Sequence, residues 1–264
     1  MSDQNDAQFD EHGLPRYLDM QAEIGYTKHI GGAKATQELL ALCQVDPNKV
    51  ILNVGCGAGG TTTYIVKNYG CRVVGVDIKE NMVASAQERA QRKGLTDKTE
   101  FRQADAQDLP FEDDRFDIVI SESVNIFVPD RAKAMSEYKR VVKTCGYICL
   151  NEPVLLKDPS PAVADLLAEL VGLEILPPSV WENLLSEAGL TDVIVKTYAN
   201  KMRDESRSQF GFFDAGDFLR LIGKSIALLF KDRYTRSLIK QATASNPREF
   251  VEYLGYGLFV GKKI

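Results

Sequence analysis

From residue 50 onward, apolar and polar positions fall into alternating blocks of two different periods. KVILNV, residues 49–54, is a short apolar run of the kind that becomes a buried strand, and a glycine loop follows it at once. TTTYIVKNY then supplies a modest helix ending at Gly70, and CRVVGVD gives a second valine-rich run closed by Asp77. Together they read as strand, loop, helix, strand. NMVASAQERAQRKG continues as an amphipathic helix, with Met82, Ala86 and Ala90 spaced by four and Gly94 as its terminator. Next come a short strand near TEFRQAD, the turn segment DLPFEDD, the strand RFDIVIS, a helix around RAKAMSEYKRVV and the strand GYICLNE. By residue 152 the pattern supports an α/β fold with four or five parallel strands.

The flanks are less regular. Residues 14–42 hold LPRYLDMQAEIGYTKHIGG and then a helical AKATQELLALC, which wraps the sheet or caps a cleft at its end. In KDPSPAVADLL, Pro159 and Pro161 mark a break before a helix, and LPPSVWENLLSEAG predicts another helix stopped by Gly189. TDVIVKTYA is a predicted strand, and EFVEYLGYGLFVGKK ends with one more. About fifty mainly helical residues separate these two, too few to bury a core of their own. If the strands pair, this block is an insertion at about 200–248. The division is then a helical cap over 1–45 and a main domain over 46–264.

Composition sets outer limits. With 264 residues, 44% hydrophobic and 26% charged, the chain reads as an ordinary globular protein able to bury a substantial core. A net charge of -5 argues against broad, salt-dependent binding to nucleic acid. The start, MSDQNDAQFDEHG, is neither a secretory signal nor a basic targeting segment. No apolar run approaches the roughly 20 residues of a membrane span. The cysteines at 43, 56, 71, 145 and 149 form no CxxC, leave one over in any full pairing and assemble no zinc or arsenic site. A reducing compartment, the cytoplasm, and no metal are the expectations.

The candidate chemistry begins at LNVGCGAGG, residues 52–60. A phosphate loop needs GxxxxGK[ST], and no lysine sits here; GKS at 223–225 lacks the preceding glycine. Gly55, Gly57 and Gly60 formally fit the dinucleotide spacing GxGxxG. Asp77, at the end of the next strand, suits a carboxylate that accepts from two ribose hydroxyls, a requirement of nucleosides in general. These residues alone leave the nucleoside cofactor open.

The order of motifs resembles the class I S-adenosylmethionine-dependent methyltransferases, especially the ubiquinone/menaquinone C-methyltransferase-like small-molecule group. NVGCGAGG is similar to that family's glycine motif, and GVDIKENMVASAQERA to its second strand and following helix. FRQADAQDLPFEDDRFDIVISESVNIFVPD is similar to its third and fourth strand regions, and PSVWENLLSEAGLTDVIV to the closing helix and strand. The resemblance covers roughly residues 32–198, with the strand near 251–261 completing the fold. It implies a Rossmann-like three-layer sandwich with a mostly parallel seven-stranded sheet whose final strand is antiparallel.

The resemblance also implies roles. Gly55, Cys56, Gly57 and Gly59 would pass beneath the methionine part of S-adenosylmethionine, Asp77 would bind its ribose and Ile78 would flank adenine. Met82 would join this site, Asp105 would accept from the adenine amino group and Ala106 would offer its backbone N–H. Ser121 would face the methionine portion. Small residues let backbone N–H groups approach a carboxylate, so the glycines suit this ligand physically as well. Cys56 is then a neighbour of the cofactor rather than a nucleophile. Glu122 orients the sulfonium region, binds the acceptor or takes a proton, while Asn151 and Glu152 line the acceptor side or serve the loop structure. In GYTKHIGG, Tyr26 and His29 belong to a segment that related enzymes use as a flap; Tyr26 would close against the methionine chain of the cofactor or the acceptor, and both compete between catalytic and packing roles.

The block from Asn200 to Arg248 departs from the simplest family pattern. It concentrates Phe210, Phe212, Phe213, Phe218, Leu221, Ile222 and Phe230, with Arg220, Lys224, Lys231 and Arg233 interspersed. It reads as an aromatic lid for a partly apolar acceptor, a homodimer face, a shallow membrane contact or a helix packed on the sheet edge. The expected activity is methyl transfer from S-adenosylmethionine to a small, partly apolar or aromatic organic acceptor, releasing S-adenosylhomocysteine. The alternatives are a protein side-chain methyltransferase and a non-catalytic cofactor-binding or scaffold protein.

Overall fold

The computed structural model describes residues 14–26, 28–159, 175–199, 208, 210–231 and 253–264. Its elements follow the block order of the sequence. Helices α1 (Tyr17–Ile24) and α2 (Gly32–Leu42) precede β1 (Val50–Val54), α3 (Gly60–Tyr69), β2 (Arg72–Asp77), α4 (Glu80–Arg92), β3 (Thr99–Gln103) and β4 (Phe116–Glu122). A 3-10 turn (Asn125–Phe127), α5 (Arg131–Val141), β5 (Val142–Leu155), α6 (Pro178–Glu187), β6 (Thr191–Ala199), α7 (Ala215–Lys231) and β7 (Leu254–Lys262) complete them.

The strands form one seven-stranded sheet in the order β3-β2-β1-β4-β5-β7-β6. The pairs from β3 across to β5 are parallel, and the inner strands β1, β2 and β4 are the apolar, largely buried ones. β7 slots antiparallel between β5 and β6, with Leu150 facing Phe259 and Val195 facing the same residue from the other side. This is the Rossmann-like fold with an antiparallel final strand expected from the sequence. β5 runs well past the predicted GYICLNE, because its pairing with β7 continues to Leu155 opposite Leu254.

Two apolar layers cover the sheet. One gathers Leu52, Val76, Val119, Leu150, Tyr138 and Trp181 around α5 and α6. The other packs Leu39, Leu40 and Cys43 of α2 with Ile65 of α3 against Ile51, Ile118, Cys149 and Leu258. α2 therefore belongs to the core layer, and α1 alone of the two N-terminal helices lies beside the strand ends over α4. The sheet reverses its direction of growth between β1, which extends to β2, and β4, which extends to β5. In sheets of this kind, ligands bind outside the carboxyl ends of the strands at that reversal.

Residues 1–13, 160–174, 200–207 and 232–252 lie outside the described residues, and with them the break around Pro161 and much of the aromatic block. Of that block, α7 is helical as expected. Phe218, Leu219, Ile222 and Ile226 on it are exposed, whereas Phe212 just before it is buried. Among the described residues, no helix is long and apolar enough to cross a membrane.

Candidate active site at the carboxyl ends of the strands

At the reversal point a cavity of about 300 Å³ opens. Its floor is the loop after β1, its sides are the ends of β2, β3 and β4, and Leu14, Leu18, Gln21 and Tyr26 close it from the α1 side. Of the residues that the sequence singles out, Tyr26, His29, Gly55, Cys56, Gly57, Asp77, Ile78, Met82, Asp105, Ala106 and Glu122 all line this one space.

The glycine loop is held open by its own backbone. Cys56 N–H donates to the Val76 carbonyl at 2.9 Å and Gly59 N–H to the Cys56 carbonyl at 3.0 Å. Gly55 sits at φ 65°, and a β-carbon there would meet Val124 Cγ1 at 2.8 Å, with Cγ2 closer still. Gly59 is different. It caps α3 at φ 77° and a β-carbon on it would meet Ala86 Cα of α4 at 3.0 Å. Its smallness serves helix packing, and it does not line the cavity, contrary to the expectation from the motif. Burial, reinforced by the Asp77 charge, raises the Cys56 thiol well above the ordinary range, which disfavours the thiolate a nucleophile would need.

Asp77 anchors the second wall. Its Oδ2 accepts from Gly57 N–H at 2.9 Å and its Oδ1 from Lys79 N–H at 3.0 Å. Burial raises its carboxyl above the ordinary range, and those two N–H groups oppose the shift. Each oxygen keeps a further lone pair for a ligand hydroxyl. Asp105 is braced in a tight loop, where its Oδ1 accepts from Gln107 N–H at 2.8 Å. Between these carboxylates, Ile78, Met82, Ala106 and Val128 give the slot apolar faces.

At the opposite end stands Glu122, 7% exposed at the close of β4. Its Oε1 accepts from Thr36 Oγ1 at 2.8 Å and its Oε2 from Thr61 Oγ1 at 2.7 Å. His29 Nε2 lies 3.3 Å from Thr36 Oγ1 and 3.6 Å from Glu122 Oε2. Asn151 donates through Nδ2 to the Ile30 carbonyl at 2.8 Å, and that amide nitrogen also lies 3.1 Å from His29 Nδ1. A carbonyl takes only a donor, so the amide is oriented, and His29 Nδ1 lies between that amide nitrogen and the Ile30 carbonyl 3.2 Å away, so either tautomer of the ring finds a partner there. Both ring nitrogens thus face a buried network, with the Phe212 ring packed 5.4 Å from the imidazole.

One further expectation from the sequence needs correction, and of the two alternatives for Asn151 and Glu152 the structural one holds. Ser121 does not reach the cavity: side chains alternate along β4, so it points opposite to Glu122, is fully buried and accepts from Asn125 Nδ2 at 3.0 Å. Ser123 lines the cavity in its place, because the chain leaves the strand there at φ 57°, and its Oγ accepts from Ile30 N–H at 3.0 Å. Asn151 and Glu152 are likewise fully buried within β5 and do not line the cavity. Glu152 ties down the turn after β4, its Oε1 accepting from Asn125 N–H at 3.0 Å and Asn125 Nδ2 at 2.8 Å. Burial pushes its carboxyl up to about 7.

The sequence did not single out Thr36, Thr61 or Ser123. Thr61 carried the one available signal, a hydroxyl in the first turn after the glycine loop. Thr36 is an ordinary polar position of α2 until the fold brings it to Glu122.

Comparison with known proteins agrees with this geometry. A family model described as a methyltransferase domain matches residues 52–150, from β1 into β5. An uncharacterized protein of Haemophilus influenzae is 33% identical over 186 residues, covering 69% of this chain and 73% of that protein. Among solved structures, the [4+2]-cyclase SpnF superposes with a TM-score of 0.75 at 19% identity, covering 94% of this chain and 96% of that one. Haemonchus contortus phosphoethanolamine N-methyltransferase 2, solved in complex with S-adenosyl-L-methionine, superposes with a TM-score of 0.73 at 18% identity. That match covers 94% of this chain, which spans 58% of the longer enzyme.

Proposed function

The chain belongs to the class I S-adenosylmethionine-dependent methyltransferase superfamily, and on that premise we propose that it moves the methyl group of S-adenosylmethionine to a small organic acceptor, releasing S-adenosylhomocysteine. The observation that carries this reading is the pairing, in one cavity, of two carboxylates braced by backbone N–H groups, Asp77 and Asp105, with a third, Glu122, buried and held by hydroxyls. Asp77 and Asp105 suit the ribose and adenine of the donor, with Ile78, Met82 and Ala106 flanking the base. The backbone around Gly55, Cys56 and Gly57 suits the methionine end.

Glu122 is the residue assigned to the reacting end. Hydroxyls hold both of its oxygens, and among the described residues the cationic group recorded within ion-pair distance is His29, when protonated. A buried carboxylate so placed favours positive charge brought by a ligand. The donor supplies an electrophilic methyl on a cationic sulfur. Methyl transfer then asks the protein mainly for alignment and exclusion of water. Tyr26 covers the cavity, and His29 acts through Thr36 and Glu122 rather than on the acceptor. A proton leaving the acceptor passes to Glu122 where the acceptor arrives protonated.

Fold alone does not fix the reaction, since the SpnF structure is named for a cyclase. The test is incubation with cell extract and isotopically labelled methyl donor, followed by mass analysis of small molecules and proteins. Label in a small molecule supports the proposal. Label in protein alone identifies a side-chain methyltransferase. Calorimetry with S-adenosylhomocysteine adds the cofactor arm: Asp77→Ala weakens binding about 10- to 100-fold, the cost of hydrogen bonds to a charged group. A folded wild-type protein that binds neither donor nor product overturns the reading.

A further inference from the structure

The proposed chemistry leaves Arg89 unused, although this guanidinium on α4 is 2% exposed. Its Nη2 donates at 2.7 Å to the carbonyl of Gly25, the residue that caps α1. Its Nη1 lies 3.5 Å from Asp217 Oδ2, in the first turn of α7. Its Cζ stands 5.2 Å from the centre of the Phe213 ring, and that ring packs 5.9 Å from Tyr26. Tyr26 lines the cavity. One buried side chain of α4 therefore touches the α1 segment from one side and the inserted block from the other.

Asp217 is built for this position. Its carboxylate also meets Lys93 Nζ at 2.7 Å and Arg92 Nη1 at 3.2 Å, so two cations of α4 and the one at its C-cap converge on it. It is anchored in its own helix as well. Asp217 N–H donates to Asp214 Oδ1 at 2.8 Å, and Asp214 N–H donates back to Asp217 Oδ2 at 3.4 Å. This reciprocal pair across DAGD is a capping box at the start of α7. Without the carboxylate, Arg89 would be a buried charge held only by a carbonyl and an aromatic face, a costly state that turning outward relieves.

We propose that Arg89 and Asp217 are positioning residues for the methyl-donor cavity: Asp217 fixes the Arg89 guanidinium, which holds the Gly25 carbonyl and the Phe213 ring and through them sets Tyr26 against the cavity. The inserted block thus acts on donor binding from behind the flap. Arg89 and Asp217 both stand outside the cavity lining. The inference rests on the proposed donor site, so its experiment has one arm that needs no ligand.

Asp217→Asn in the full chain keeps an acceptor for the Asp214 N–H and removes the charge. In the ligand-free protein, the amides of Gly25, Tyr26 and Ile30 exchange about tenfold faster in this variant, while those of β1 and β4 keep their protection. Arg89→Lys, which reaches the Gly25 carbonyl or Asp217 but not both, gives the same local pattern. The second arm is a double-mutant cycle on S-adenosylhomocysteine affinity. Asp217→Asn weakens binding about tenfold in the wild-type background and less than about twofold once Tyr26→Ala is present. Equal losses in the two backgrounds, or unchanged exchange at Gly25 and Tyr26, overturn the proposal. If the wild type binds no S-adenosylhomocysteine, the donor-site reading fails, and the exchange arm alone decides the junction.

Discussion

Thr61 Oγ1 donates to Glu122 Oε2 across 2.7 Å, joining the first turn of α3 to the end of β4. The bond aims one carboxylate oxygen, and Thr36 aims the other. If Glu122 faces the sulfonium, replacing it by Gln removes an attraction that the cationic donor feels and the neutral thioether of the product does not. Glu122→Gln is expected to weaken S-adenosylmethionine about tenfold and S-adenosylhomocysteine less than about threefold. Thr61→Val shifts the ratio in the same direction by a smaller factor, and Thr61→Ser restores it. Calorimetric titration of both ligands checks this; equal losses would place Glu122 at the amino group common to both.

Gly55 and Gly94 offer a matched pair of substitutions. Both have positive φ, at 65° and 64°, but a β-carbon on Gly55 runs into Val124, whereas one on Gly94 meets nothing within 4 Å. Gly94→Ala therefore carries backbone strain alone, about 1 kcal/mol. Gly55→Ala adds overpacking against a cavity wall, for a total of about 2–4 kcal/mol. Denaturant unfolding measures both costs, and Gly55→Ala should also lose donor binding because Val124 lines the same cavity. Similar costs for the two variants would show that Val124 yields freely.

Glu152 makes stability depend on pH. Its folded-state value of about 7 stands above the ordinary 4.5, so between these the folded protein holds a proton that the unfolded chain releases. The stabilisation is complete below about pH 4.5 and is lost as pH rises through about 7, amounting to roughly 3 kcal/mol on an order-of-magnitude basis. Among the described residues its Oε2 has no hydrogen-bond partner, so Glu152→Gln places an amide nitrogen where no bond is lost while Oε1 keeps its donors. Melting temperature measured from pH 5 to pH 8 should fall for the wild type and fall less for the variant. Parallel curves would remove Glu152 as the cause.

What the sequence disclosed follows the range of the interactions involved. KVILNV and CRVVGVD announce β1 and β2 because a strand buried on both faces is apolar throughout. Asp77 and Asp105 are legible because the first ends β2 and the second lies in the loop just after β3, where the fold puts ligands. Ser121 misled because its position relative to the cavity depends on where β4 stops alternating, and that is decided at Ser123 by φ 57°. The Glu122 network was hidden for another reason: Thr36, Thr61 and Asn151 come from three elements that meet only once the sheet has formed. Arg89 looks like the polar face of an amphipathic helix until α7 covers it.

The place of β7 also orders events in time. β6 borders only β7 in the described sheet, yet about fifty residues of chain separate the end of β6 from the start of β7. As the polypeptide leaves the ribosome, β6 emerges with no strand to pair with and stays so for several seconds at roughly 5–20 residues per second. β5 waits with its outer edge bare over the same interval. Lys196 and Tyr198 of β6 both bond Glu38 of α2, a polar tie between this edge strand and the helix layer that does not pass through β7. The sheet is thus completed by the last strand of the chain, seated between two strands that precede it in sequence.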